Sequence, residues 1–338
     1  LSACVPLEQL PAADPADTMD GAEGVTVRLM THDSFNITED VIKQFEAETG
    51  IMVEVLPSGD GGAMLNQAIL AKDDPLADVL FGVDNTFLSR ALDNDIFIAY
   101  NSPLLSVVDD SLKLDAENRA LPVDYGDVCL NYDKAWFDAS DLEAPTSLDD
   151  LIDPAYASLT VVENPATSTP GLAFLLATVG TFGEDGYLDY WQALVENDVL
   201  VTAGWEDAYW GEFSGASDGN RPIVVSYASS PPAEVFFADP QPEDAPTAAV
   251  VGDGSCFRQI EFVGILKGTA HEAEAQQLVD FMLSTAFQED IPLNMFVYPA
   301  NLEADLPEVF VKHSIVPDNP ATVSPTDISA NREAWIEA

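Results

Sequence analysis

The chain has 338 residues, with 59 acidic side chains against 12 basic ones and a formal charge of −47 at pH 7. Its length accommodates two domains with a core each, and a hydrophobic fraction of 47% excludes a disordered chain despite the charge. This balance also excludes nucleic-acid binding, which needs Lys and Arg against phosphates, and docking on an anionic membrane through a basic patch. An acidic, hydrated surface suited to high salt accounts for it most simply, since screening relieves self-repulsion there.

At the amino terminus, Leu1-Ser2-Ala3-Cys4 resembles a lipobox, in which a precursor is cut before the cysteine and the cysteine takes lipid. Residues 5–24 carry Pro6, Pro11 and Pro15 among acids and small residues, without a hydrophobic period, and read as a flexible tether. The expectation is an extracytoplasmic protein held to the membrane only through lipid on Cys4. No apolar run reaches the ~18–20 residues of a membrane span.

From residue 25, short strand-like runs alternate with amphipathic helices. Val25 to Met30 alternates and is rich in β-branched residues; Val41, Ile42, Phe45 and Ala47 follow at near-helical spacing, with Gly50 as a stop. Ile51 to Val55 reads as a strand, Ala63 to Ala71 as a helix, and Ala77 to Phe81 as a strand. This βαβαβ order predicts a parallel sheet covered by helices. The pattern resumes with strands at Val161-Val162, Val199 to Thr202 and Ile223 to Ser226, and with a helix from Gly171. A strand from Ile260 to Leu266, a helix from His271 to Leu283 and a final helix capped by Ser324 complete it. Residues 239–249 read as a polar loop. Two α/β lobes with no linker imply a chain that crosses between them more than once, with the ligand in the cleft they share.

Catalytic motifs are weak. Gly215-Ala216-Ser217-Asp218-Gly219 matches the GxSxG elbow, but the elbow needs a strand before its serine and a helix after it, and here the order is reversed. His32, His271 and His313 are scattered, and Ser58-Gly59-Asp60-Gly61-Gly62 lacks the Lys of a phosphate loop. With Cys4 lipidated, Cys129 and Cys256 stay as candidates for one disulfide in an exported chain, or as buried thiols in a cytosolic one. Binding chemistry gathers instead in loops after strands: Thr31 to Phe35, Asp60 to Gly62, Gly82 to Asn85, Thr167 to Gly171, Gly204 to Tyr209, and Ser226 to Pro231.

Those loops, with "ADVLFGVDN", "DYGDVCLNYDK" and "IPLNMFVYP", resemble the thiamine-binding proteins of ABC transporters, within the type II solute-binding proteins, over about Val25 to Trp335. The resemblance implies a two-lobed α/β fold, each lobe a mostly parallel sheet covered by helices, with the ligand cleft between. The lobes are then residues 25–122 plus 262–298, and 123–261 plus 299–338, after the lipobox and tether of 1–24. Crossings are implied near Pro122–Gly126 and Glu261–Gly264, which run side by side and so bring Cys129 and Cys256 into bonding range.

It further implies capture of thiamine or a close derivative as transported ligand, an ABC permease as partner, a monomer, and no cofactor, metal or catalysis. The implied contacts are His32, Asp60, Gly61, Ser168, Trp205, Tyr227, Ser230 and Phe296. Trp205, Tyr227 and Phe296 supply stacking faces for a flat cation, and Asp60 a counter-charge. The chain departs from the family's usual aromatics at His32, Phe296 and Ala233, which predicts a thinner aromatic cage. Two alternatives follow: ferric ion held by Tyr125, Tyr209 and Tyr227, or a hydrolase using Ser217.

Overall fold

A computed structural model describes residues 24–338; Cys4 and the tether up to residue 23 lie outside the described residues. The first half runs β1 (Thr26–Thr31), α1 (Glu39–Thr49), β2 (Met52–Pro57), α2 (Gly61–Leu70), β3 (Val79–Asp84), α3 (Leu88–Asp93) and β4 (Phe97–Ile98). The long strand β5 (Leu121–Asp133) leads to α4 (Lys134–Ala139), β6 (Thr160–Glu163), α5 (Thr169–Phe182), α6 (Tyr187–Glu196), β7 (Leu200–Thr202) and β8 (Ile223–Tyr227). There follow α7 (Pro231–Phe236), β9 (Thr247–Val250), β10 (Phe257–Leu266), α8 (Glu272–Met282), α9 (Thr285–Gln288) and α10 (Ile291–Asn294). Finally come β11 (Tyr298–Pro299), α11 (Glu308–His313) and α12 (Pro325–Glu337).

Local chemistry explains the boundaries. Gly50, at φ 74°, takes the left-handed position that ends α1. Asp60 and Ser168 cap α2 and α5, and Ser324 caps α12 with Pro325 at its first turn. Helix α5 is buried along nearly its whole length, as its uninterrupted apolar sequence requires.

The strands form one mixed sheet, ordered β2-β1-β3-β10-β5-β8-β6-β7. β1 pairs in parallel with β2 and β3, and β6 in parallel with β7 and β8, which gives each half the parallel core predicted for it. β5 and β10 join the halves as antiparallel crossing strands, with Glu261 opposite Asp124 and Phe262 opposite Pro122. The register shifts between Glu261 and Phe262, so the regular ladder breaks where the halves meet. The segment 239–249 is not loop throughout, because Thr247 opens β9 against the far end of β5. Thr-Ala-Ala carries little strand signal of its own, and the exposed edge of β5 supplies the pairing.

Cys129, on β5, and Cys256, just before β10, form a disulfide with both residues fully buried. Helix α12 touches both halves: the Arg332 guanidinium donates to the Thr86 carbonyl at 3.0 Å, while Trp335 shares an apolar groove with Leu175 and Trp191. We propose lobes of residues 25–122 plus 262–298 and 123–261 plus 299–338, with α12 packed against both. No helix among the described residues is long and apolar enough to cross a membrane.

Candidate functional site

The loops that leave β1, β2, β6, β7 and β8 at their carboxyl ends converge on one cleft of about 360 Å³. Five of the eight residues expected there line it: His32, Asp60, Trp205, Tyr227 and Phe296. The other three sit behind the wall. Ser168 is fully buried and its Oγ accepts the Gly171 amide at 3.4 Å. Ser230 is buried against Ser226, the two hydroxyls 2.8 Å apart. Gly61 is a close-approach position, since a Cβ there would lie 2.5 Å from the Thr169 methyl of the other half.

Asp60 is the tightest link across the cleft. Its Oδ1 accepts the amides of Gly61 at 2.7 Å and Thr169 at 3.0 Å, and its Oδ2 accepts the Trp205 amide at 3.1 Å. Burial pushes this carboxyl up, and the Trp205 and Thr169 amides pull it back. The aspartate thus caps α2 and ties it to the opposite half with the same two oxygens.

The aromatic wall is held by hydroxyls. Trp205 stacks on Tyr209 with centroids 4.8 Å apart, and its Nε1 donates to Ser226 Oγ at 2.9 Å. Ser230 Oγ accepts the Tyr227 amide at 3.1 Å, so the serine pair orients both aromatic residues. The Tyr227 hydroxyl donates to Gln259 Oε1 at 2.5 Å. Phe296 sits at φ 55°, a strained backbone for a bulky residue, and packs against Phe237. Phe237 and Trp210 also line the cleft, so its cage is fuller than the sequence implied.

His32 occupies space left by Gly82, where a Cβ would fall 2.3 Å from the imidazole Cδ2. Its Nε2 lies 3.5 Å from Glu261 Oε1. Burial lowers the imidazole's affinity for a proton, but Glu261, with Asp60 and Asp33 adding to it, more than compensates, and its pKa ends above the ordinary value. Glu261 itself was visible in the sequence only as part of a crossing strand; nothing in its local pattern marks it as a cleft residue.

The alternative chemistries are not assembled. Of Tyr125, Tyr209 and Tyr227 only the last lines the cleft, so the three phenols do not converge on a shared ion there. Ser217 is spent in its own turn: Oγ donates to the Phe213 carbonyl at 2.7 Å and accepts the Gly219 amide at 3.0 Å. Neither a preceding strand nor a histidine base attends it.

Two α/β halves joined by crossing strands and closed on an aromatic, acidic cleft define a two-lobed binding protein. The chain belongs to the bacterial extracellular solute-binding protein family, whose pattern matches residues 74–322. It is 30% identical over 302 residues to the thiamine-binding periplasmic protein of Escherichia coli K12, covering 88% of this chain and 85% of that one. The thiamine-binding periplasmic protein of Brucella suis is 28% identical over 333 residues, 96% of this chain and 92% of its own. A solved periplasmic thiamin-binding protein superposes with a TM-score of 0.80 at 28% identity, over 92% of this chain and 94% of that one.

Proposed function

We propose that this protein captures thiamine, or a close derivative, outside the cytoplasm and delivers it to an ABC permease without catalysing a reaction. The observation that carries the reading is the cleft lining: Trp205, Trp210, Tyr227 and Phe296 offer stacking faces, Asp33, Asp60, Glu206 and Glu261 bring carboxylates, and no Lys or Arg is among them. A flat organic cation suits that combination. The relatives whose names record thiamine binding support the choice among such cations. Closure follows from differential affinity: a ligand that touches both halves favours the form in which Asp60 meets Thr169 and Trp205. Anchoring through lipid on Cys4 and action as a monomer are part of the same proposal. Native mass spectrometry of protein purified from thiamine-replete cells tests it; thiamine retained at one equivalent supports the reading, and a different retained solute contradicts it.

A further inference from the structure

We propose that Glu261, on the crossing strand β10 beneath the cleft, is the residue that selects a cationic ligand, with Asp124 and His32 as its positioning residues. This rests on the thiamine reading and goes beyond it by naming the charge that reads the ligand. The four carboxylates of the lining differ in what already occupies them. Asp60 is engaged by three main-chain amides, two of them from the opposite half. Asp33 and Glu206 are exposed, and Asp33 accepts the Gly59 amide at 2.9 Å. Glu261 is only 7% exposed, and that exposure opens into the cleft. A carboxylate there is weakly screened, so it attracts a neighbouring cation more strongly than one at the rim.

Its surroundings explain how it stays available. Asp124, fully buried, lies opposite it on β5, and among the described residues neither Asp124 oxygen has a hydrogen-bond partner. Burial first, and Glu261 second, push the Asp124 carboxyl well above the ordinary range, and the strand pairing sets it opposite Glu261, where a protonated carboxyl would be its nearest donor. His32 faces Glu261 from the loop after β1, Asp84 from the end of β3, and Tyr227 from β8. Asp60, from across the cleft, bears on two of these neighbours, His32 and Tyr227. Among the described residues no guanidinium or ammonium lines the cleft to neutralise Glu261, and His32 is its one basic neighbour there. A bound cation therefore meets a carboxylate with the buried Asp124 behind it and an imidazole beside it.

The test is calorimetric titration at fixed salt with thiamine and with an analogue whose thiazolium is replaced by a neutral ring. Wild-type protein is expected to prefer thiamine. Glu261→Gln should weaken thiamine at least tenfold and the neutral analogue less than twofold, whereas Glu261→Asp should keep the preference at lower affinity. Asp124→Asn, whose amide still donates, should hold the preference within threefold; Asp124→Val should reduce it. Equal loss of both ligands in folded Glu261→Gln, or no loss, overturns the assignment of Glu261. A wild type that binds both equally overturns charge selection while leaving the ligand class standing. A wild type that binds neither overturns the thiamine reading, and charge selection with it.

Discussion

The Asp60 carboxylate, at the start of α2, accepts the main-chain amide of Trp205 from the opposite half of the molecule at 3.1 Å. The same side chain accepts the Thr169 amide at 3.0 Å, so one residue bonds to two loops across the cleft. From the sequence, Asp60 looks like a counter-charge for the ligand; the geometry makes it a closure contact. Asp60→Asn keeps an acceptor for the helix cap but turns an amide toward Trp205. It should weaken thiamine and a neutral analogue by the same few-fold factor in calorimetry. Selective loss of thiamine would return Asp60 to the role of counter-charge.

Trp205 is fixed by Tyr209 on one face and by Ser226 at its indole nitrogen. A stacking contribution above ~1.4 kcal/mol makes Trp205→Ala at least about tenfold weaker for thiamine. Ser226→Ala keeps the ring but frees its orientation, so its effect should be smaller and in the same direction. Tryptophan fluorescence quenching with thiamine measures both, and unchanged affinity in folded Trp205→Ala would remove the stacking role.

The disulfide joins residues 127 apart in sequence, on or beside the two crossing strands. Chain-entropy arguments give about 5 kcal/mol as the upper value for a loop of that length. Replacing both cysteines by alanine should lower the denaturant midpoint markedly, and reductant should then have no further effect. A midpoint that does not move would mean the bridge adds no stability.

Buried acids give stability a definite pH sign. Asp84 is pushed from 3.8 up to about 7, chiefly by burial, so the folded state holds its proton where the unfolded chain has lost it. Stability should therefore fall as pH rises through that window. His32 adds to the same trend: its raised value stabilises the fold below the ordinary 6.5, and that share is lost as pH rises through the folded value. Repulsion among 59 acids acts in the same direction but is screened by salt. Melting followed between about pH 5 and 8 in molar salt isolates the buried share, and Asp84→Asn should flatten the slope. An equal slope in wild type and Asp84→Asn would exclude Asp84 as its source.

Much of this was legible in the chain. Strands β1, β2, β3 and β8 announce themselves by alternation or β-branched runs, and Gly50, Asp60 and Ser324 by their capping chemistry. Five of the expected site residues reach the cleft because each lies at or shortly after the carboxyl end of a strand or, for Phe296, precedes β11. Ser168 and Ser230 escaped correct placement because a capping or orienting hydroxyl and a ligand-binding one have the same local sequence. Trp210 and Phe237 were missed because one-dimensional spacing does not show which side of a short helix faces the cleft. Glu261 was missed for a different reason: its role depends on Asp124, 137 positions earlier (261 − 124), and only the pairing of β5 with β10 brings them together.

The central claim is that thiamine occupies the cleft between the two halves. The most direct measurement is calorimetric titration of ligand-stripped, folded protein with thiamine, repeated with Trp205→Ala. The account predicts saturable one-to-one binding by the wild type and a loss of about tenfold or more in the variant. No heat of binding in folded wild-type protein, or undiminished affinity in the variant, would contradict it.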